Sequence, residues 1–283
     1  MLGTTKLSGV RAAGGILDRI VEAKAKRLEE TKRRAPIELL AKSATEAAAS
    51  CQPNSFTQAL SRSNTINIIA EIKHRSPSKG IICQDFDPVR IAESYANAGA
   101  AALSILTEED FFGGSLDHLK AIRKVVTLPL LRKDFIFDEY QIYESVLAGA
   151  NAVLLIVAIL EDDLLASLIN LARKLGLDAL VEVHSVEEMK RANRAGASLI
   201  GINNRDLTNF NVDLNTSVEL GRLTRDDAIL VSESGINTGA DIRHLRSAGF
   251  NSFLVGEHLM RATEPGAALR QLIEEAGGSE FNL

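Results

Sequence analysis

The segments NAGAAALSIL (residues 97–106), LAGANAVLLI (147–156), RAGASLIGIN (194–203) and SAGFNSFLVG (247–256) share one pattern: an Ala-Gly pair, one or two further residues, then an apolar run. A glycine just past the last helical turn can adopt the left-handed conformation that stops a helix. A near-continuous apolar run reads as a strand covered on both faces, as in a parallel sheet. Four copies of this unit in one chain predict a repeating helix-to-strand architecture.

Working outward from these segments, eight such runs appear: 66–73, 101–107, 129–135, 152–158, 178–184, 199–205, 228–234 and 252–257. Their starts lie about 20 to 35 residues apart, the length of one strand-helix unit in a closed barrel. Between them stand helix-start signals: Asp87 followed by Pro88, and Ser185 with Glu188 three residues on, the spacing of a capping box. The predicted fold class is α/β, a (β/α)8 TIM barrel with additional N-terminal helices. Ile16, Leu17, Ile20, Val21 and Leu28 recur at helical spacing ahead of the first strand, and a second helix is expected from Ile37 to Ala49. The simplest role for this extension is a plug packed on the barrel; a partner-binding helix is the other reading. The expected organisation is a flexible leader over 1–15 and a single domain over 16–283, comprising a helical extension (16–60) and the barrel (66–276).

Of the 283 residues, 46% are hydrophobic and 24% charged, with mean hydropathy +0.04, which suits an ordinary globular core. A net charge of −5 argues against a general nucleic-acid or membrane-surface role. No apolar run approaches the roughly 20 residues of a membrane span. The opening MLGTTKLSGVRAAGG lacks the apolar segment of an export signal, so a cytoplasmic location is the expectation. Cys51 and Cys83 fit neither a disulfide framework nor a metal knuckle, the five histidines are scattered, and no metal is expected.

Catalytic groups of a barrel gather at the C-terminal ends of its strands. Glu71 and Lys73 share a face at the end of the first strand, and Lys133 ends the third. Glu182 stands between valines at the end of the fifth, and Asn203 and Arg205 share a face at the end of the sixth. Any one of these groups reads equally well as an ion pair capping a strand; six around one opening read as a site. After the last two strands, SESG (232–235) and VGE (255–257) carry glycines where backbone N–H groups could approach an anion. Each glycine alone is also explained by a plain turn, but the pair at this place in a barrel points to a phosphorylated substrate.

The motifs EIKHRSPSKG (71–80), SILTEEDFFGGS (104–115), LRKDFIFDEYQIYE (131–144), LLIVAIL (154–160), LVEV (180–183), GINNRDL (201–207), VSESGI (231–236) and GEHLMR (256–261) together resemble the indole-3-glycerol-phosphate synthases of tryptophan biosynthesis, and ILDRIV (16–21) resembles that family's helix ahead of the barrel. The resemblance implies a decarboxylating lyase. It would convert 1-(2-carboxyphenylamino)-1-deoxyribulose 5-phosphate to indole-3-glycerol phosphate by general acid/base catalysis with no cofactor. It implies Lys133 as the general acid of ring closure, Glu182 as the base of dehydration, Lys73 as a second lysine, and Glu71, Asn203, Arg205, Glu233 and Ser234 as polar groups of the site. Ser76, Gly235, Gly256 and the backbone of Glu257 fall on phosphate-contact positions, and Phe112, Phe135, Leu154 and Leu207 on an apolar wall for the aromatic ring. His74 and His258 stand where the family commonly has a longer basic residue and a small residue. The implied partner is a small sugar-phosphate substrate, with neither nucleic acid nor membrane; contact with other tryptophan-pathway enzymes is left open.

Two other classes compete. A phosphoribosyl isomerase would be expected to place a cysteine near strand one, where Glu71 and Lys73 stand, and an aldolase would form a Schiff base through its mouth lysine. A barrel kept only as a scaffold would have no need to fill its mouth with charged groups.

Overall fold

The structure, a computed structural model, describes residues 7–49, 55–62, 65–207, 210–225 and 227–277. Eight parallel strands close into a barrel: β1 (Asn67–Ile72), β4 (Ala102–Leu106), β5 (Leu130–Lys133), β6 (Ala152–Ile156), β7 (Asp178–Val183), β8 (Leu199–Asn203), β9 (Ile229–Glu233) and β10 (Ser252–Val255), with β10 returning to pair with β1. Each lies inside one of the eight predicted runs and is shorter by one to three residues. The excess lies mostly at the C-terminal ends, where ladder pairing stops and the chain turns into the loops of the mouth. One unpredicted feature is a short hairpin of β2 (Arg75–Ser76) and β3 (Gly80–Ile81), too brief to leave a period in the sequence.

The intervening helices are α4 (Pro88–Asn97), α5 (Leu116–Arg123), α6 (Glu139–Ala148), α7 (Asp162–Lys174), α8 (Val186–Arg194), α9 (Asn215–Gly221) and α10 (Gly239–Ser247), with α11 (Glu257–Met260) and α12 (Pro265–Glu275) after the last strand. The four repeat glycines, Gly99, Gly149, Gly196 and Gly249, all have positive φ, so the Ala-Gly signal marks four helix ends. Asp87 caps α4 by accepting from the N–H groups of Val89 and Arg90. The expected capping box at α8 is half formed. Ser185 Oγ accepts from Glu188 N–H, but the Glu188 carboxylate accepts from His184 N–H at 2.8 Å, one residue further back than a box requires. The reciprocal box occurs instead at α10, between Thr238 and Asp241.

Three helices precede the barrel: α1 (Gly15–Arg34), α2 (Ile37–Ala48) and α3 (Ser55–Leu60), the last not evident in the sequence. Leu17, Ile20, Val21, Lys24 and Leu28 form one buried stripe of α1, and its final turn carries Lys32, Arg33 and Arg34, which complement the helix dipole. Residues 7–14 differ from a free leader. Val10 bridges to Leu160, Arg11 N–H donates to Ile159 O at 2.9 Å, and Glu161 N–H donates to Gly9 O at 2.8 Å. The turn after β6 has backbone groups that the barrel ladder does not use, and this segment satisfies them. Residues 1–6 and Cys51 lie outside the described residues. Among the described residues no helix is long and apolar enough to cross a membrane.

Candidate active site

Strand register places the charged side chains in one layer. Glu71 pairs with Ser104, Leu106 with Lys133, Ile156 with Glu182, and Asn203 with Glu233. Inward-facing positions at the C-terminal ends of neighbouring strands therefore converge above the apolar barrel core. They border a cavity of about 570 Å3, a size suited to a small ligand. All sixteen residues singled out from the sequence line it: Glu71, Lys73, Ser76, Phe112, Lys133, Phe135, Leu154, Glu182, Asn203, Arg205, Leu207, Glu233, Ser234, Gly235, Gly256 and Glu257.

Lys133 is the centre of the charge arrangement. Its Nζ donates to Glu182 Oε2 at 2.8 Å and to Glu233 Oε2 at 2.9 Å. Burial opposes the lysine's charge, but Glu182, then Glu233 and Glu71, outweigh it and hold the ammonium above the ordinary lysine range. Burial likewise opposes ionisation of Glu182, yet Lys133 and His184 keep its carboxyl well below the usual range. Glu233 goes the other way. Burial and the neighbouring Glu182 charge outweigh Lys133 and push it up to about 7. Beside this trio, Lys73 Nζ donates to Glu71 Oε1 at 2.5 Å.

Two glycines, Gly201 within β8 and Gly256 just after β10, make room for the carboxylates. A Cβ on Gly201 would lie 2.0 Å from Glu233 Oε1, and one on Gly256 would lie 2.4 Å from Glu71 Oε1. Gly256, singled out for anion contact, thus has a second reason to lack a side chain. At the rim, Ser234 adopts a positive φ of 67°, rare for a residue with a side chain. Asn204 holds it there, its amide donating to Glu233 O at 3.0 Å and Ser234 O at 3.1 Å. Arg205 reaches to 3.5 Å from Glu257, which also pairs with Arg261.

Apolar side chains complete the lining of the cavity. Phe112 and Phe135 lie with ring centroids 6.0 Å apart, near Leu154, and α1 adds Ile16, Leu17 and Ile20. The N-terminal helix is therefore a wall of the cavity as well as a plug. A network of buried charges holds it there. Lys24 Nζ contacts Asp134 at 2.8 Å and Glu109 at 3.1 Å, and Asp134 also accepts from Thr107 and Arg132. Neither this network nor His184, 3.4 Å from Glu182, was singled out from the sequence. In the sequence nothing distinguishes Lys24 from the other cations of a helix rich in Lys, Arg and Glu.

The raised Glu233 carboxyl has a consequence for stability. A carboxyl whose pKa is higher folded than unfolded favours the fold most below the unfolded value, about 4.3. That contribution is lost as pH rises through about 7. Glu233→Gln, neutral at every pH, should raise the melting temperature relative to wild type more at pH 8.5 than at pH 5. An equal difference at both pH values would contradict the assignment.

Comparisons with known proteins give the family. The sequence profile of the indole-3-glycerol phosphate synthase family matches residues 17–272. The chain is 46% identical over 261 residues to the indole-3-glycerol phosphate synthase of Carboxydothermus hydrogenoformans, covering 91% of this chain and 99% of the relative. It is 45% identical over 267 residues to that of Lachnoclostridium phytofermentans, covering 91% and 98%. Among solved structures, a 3-hexulose-6-phosphate synthase superposes with a TM-score of 0.59 at 18% identity, over 74% of this chain and 99% of that one. A thiamine phosphate pyrophosphorylase from Pyrococcus furiosus does so with a TM-score of 0.58 at 15% identity, over 76% and 96%. At that distance the structural likeness speaks for the barrel alone, whereas the sequence likeness spans barrel and N-terminal helix together: the chain belongs to the indole-3-glycerol phosphate synthase family.

Proposed function

We propose that Lys133, Glu182 and Lys73 divide the proton transfers of the family's reaction among them. The reaction is ring closure, decarboxylation and dehydration of 1-(2-carboxyphenylamino)-1-deoxyribulose 5-phosphate to indole-3-glycerol phosphate, a carboxy-lyase step of tryptophan biosynthesis. In ring closure, the aromatic carbon bearing the carboxylate attacks the ketone carbon, and the carbonyl oxygen gains negative charge. Lys133, kept protonated by its carboxylate neighbours, gives that oxygen a proton. Loss of carbon dioxide then leaves its electron pair in the ring, restoring aromaticity. In the last step, Glu182 removes a proton from the sugar-derived carbon beside nitrogen while the new hydroxyl leaves as water. Lys73, adjacent on the same rim, gives the departing hydroxyl its proton and holds the substrate's anionic groups.

The observation that carries this reading is the position of the Lys133 ammonium. It lies between two carboxylates in a cavity whose lining also includes aromatic and aliphatic side chains. An apolar wall formed by Phe112, Phe135, Leu154 and Leu207 would press the anthranilate ring toward the carbonyl, and fixed cations would meet the developing oxyanion. Ser76, Gly235, Gly256 and the Glu257 backbone would take the phosphate, and Asn203, Arg205 and Ser234 the sugar hydroxyls and carboxylate.

Glu182→Gln tests the division of labour. In a single turnover, carbon dioxide should still be released while indole formation falls by about a hundredfold or more. If both slow equally, Glu182 does not act as the base of dehydration.

A further inference from the structure

Glu182 has two carboxylate oxygens, and Lys133 occupies only one of them. The other, Oε1, faces His184 Nε2 at 3.4 Å. That nitrogen is fully buried and has no hydrogen-bond partner of its own. The opposite ring nitrogen, Nδ1, lies 3.1 Å from Glu188 Oε2, and the same oxygen accepts from His184 backbone N–H at 2.8 Å. Glu188 sits in the first turn of α8, where Ser185 caps the helix. The departure from a full capping box therefore has a use: the glutamate that would have closed the box grips a histidine instead.

We propose that His184, clamped by Glu188, is a positioning residue that fixes the Glu182 carboxylate from the side opposite Lys133. This proposal rests on the reading of Glu182 as a base of the reaction. With one oxygen against Lys133 and the other against the imidazole, the carboxylate cannot rotate freely about its last torsion. Orientation of this kind keeps a base within reach of the proton it must take. Burial disfavours charge on the ring, but Glu182 and Glu188 reverse that, and His184 stays protonated up to about pH 10. Two cations therefore flank Glu182 and keep it ionised.

The charges around this pair are accounted for. Glu182 is faced by Lys133 from β5 and, through Lys133, by Glu233 from β9; Glu71 of β1 adds to the field on Lys133 and is itself paired with Lys73. Glu182 and Glu188 are the charges acting on His184. Of the cations on α8, Lys190 is exposed, Arg191 is bound by Asp162 and by the carbonyls of Val157 and Leu160, and Arg194 also reaches Asp162.

The experiment measures kcat, KM and the kcat–pH profile for His184→Gln, alone and in the Glu182→Gln background. His184→Gln should lower kcat about 10- to 100-fold with KM little changed. Removing the imidazolium lets Glu182 protonate more easily, so the acid limb of the profile should move up by about one pH unit. In the Glu182→Gln background the same substitution should add almost nothing, because its target is gone. If the two losses multiply, or the acid limb stays in place, the proposal is overturned. The coupling decides the positioning role whichever step Glu182 serves. The Glu182 reading fails separately, if Glu182→Gln alone slows carbon dioxide release and indole formation equally. Should His184→Gln not fold, Glu188→Gln, which keeps an acceptor for the backbone N–H, is expected to give the same coupling with a smaller loss.

Discussion

Lys133→Ala is expected to lower kcat at least about a hundredfold while substrate still binds. Two contributions disappear together: the proton delivered to the carbonyl oxygen and the fixed positive charge facing it. Both matter more in the transition state than in the bound ground state, so the loss should fall on kcat rather than on KM. Lys133→Arg should not rescue activity, since the planar, bulkier guanidinium fork cannot place a proton where the compact ammonium stands. Removing the ammonium also leaves Glu182 and Glu233 as buried neighbours with no shared cation. Two carboxylates in that position cannot both remain ionised, and one should take up a proton near neutral pH. The variant should therefore be more stable relative to wild type at pH 5 than at pH 8. Turnover unchanged in Lys133→Ala would refute the general-acid role.

Asp134→Ala is expected to destabilise the fold by about 3–5 kcal/mol, the cost of removing one partner from a buried ion pair. Burial works against charge on Asp134, but Lys24 and Arg132 outweigh it and hold the carboxyl below its ordinary value. Its loss leaves Lys24 with only the partly exposed Glu109 and Arg132 with Glu144, and Thr107 loses its acceptor. Because the folded carboxyl is the stronger acid, this contribution is present above the unfolded value, about 3.9, and fades as pH falls below it. Urea titration at pH 7 reads the loss directly. Asp134 ties α1 to the strand end that carries Lys133, so the variant should also show a weakened apolar wall, seen as a raised KM. A loss below about 1 kcal/mol would mean the network is neutral, as exposed pairs are.

The barrel was legible in the sequence because its strands are covered on both faces. That burial produces apolar runs which no amphipathic helix would show, and the Ala-Gly pairs punctuate four of them. The site residues were legible for a related reason. A charge such as Glu182 inside an apolar strand stands out, and strand alternation gives its direction. What stayed hidden depends on contacts between distant parts of the chain. Lys24 meets Asp134 across 110 positions, and in its helix it is one basic residue among many. Gly201 reads as an ordinary small residue in a strand until Glu233 Oε1 is found against its Cα. His184 reads as the last residue of the predicted strand run 178–184, with no sign of a partner; only the turn into α8 brings Glu188 back to hold it. The anchoring of residues 9–11 was likewise invisible, since it uses backbone groups with no sequence signature.

The most direct test of the account is to add 1-(2-carboxyphenylamino)-1-deoxyribulose 5-phosphate to the wild-type protein and follow indole fluorescence. The chain has no tryptophan and three tyrosines, so its own emission leaves that signal clear. A steady rise accompanied by one carbon dioxide per indole is expected. Folded protein that binds the compound and produces no indole signal would contradict it.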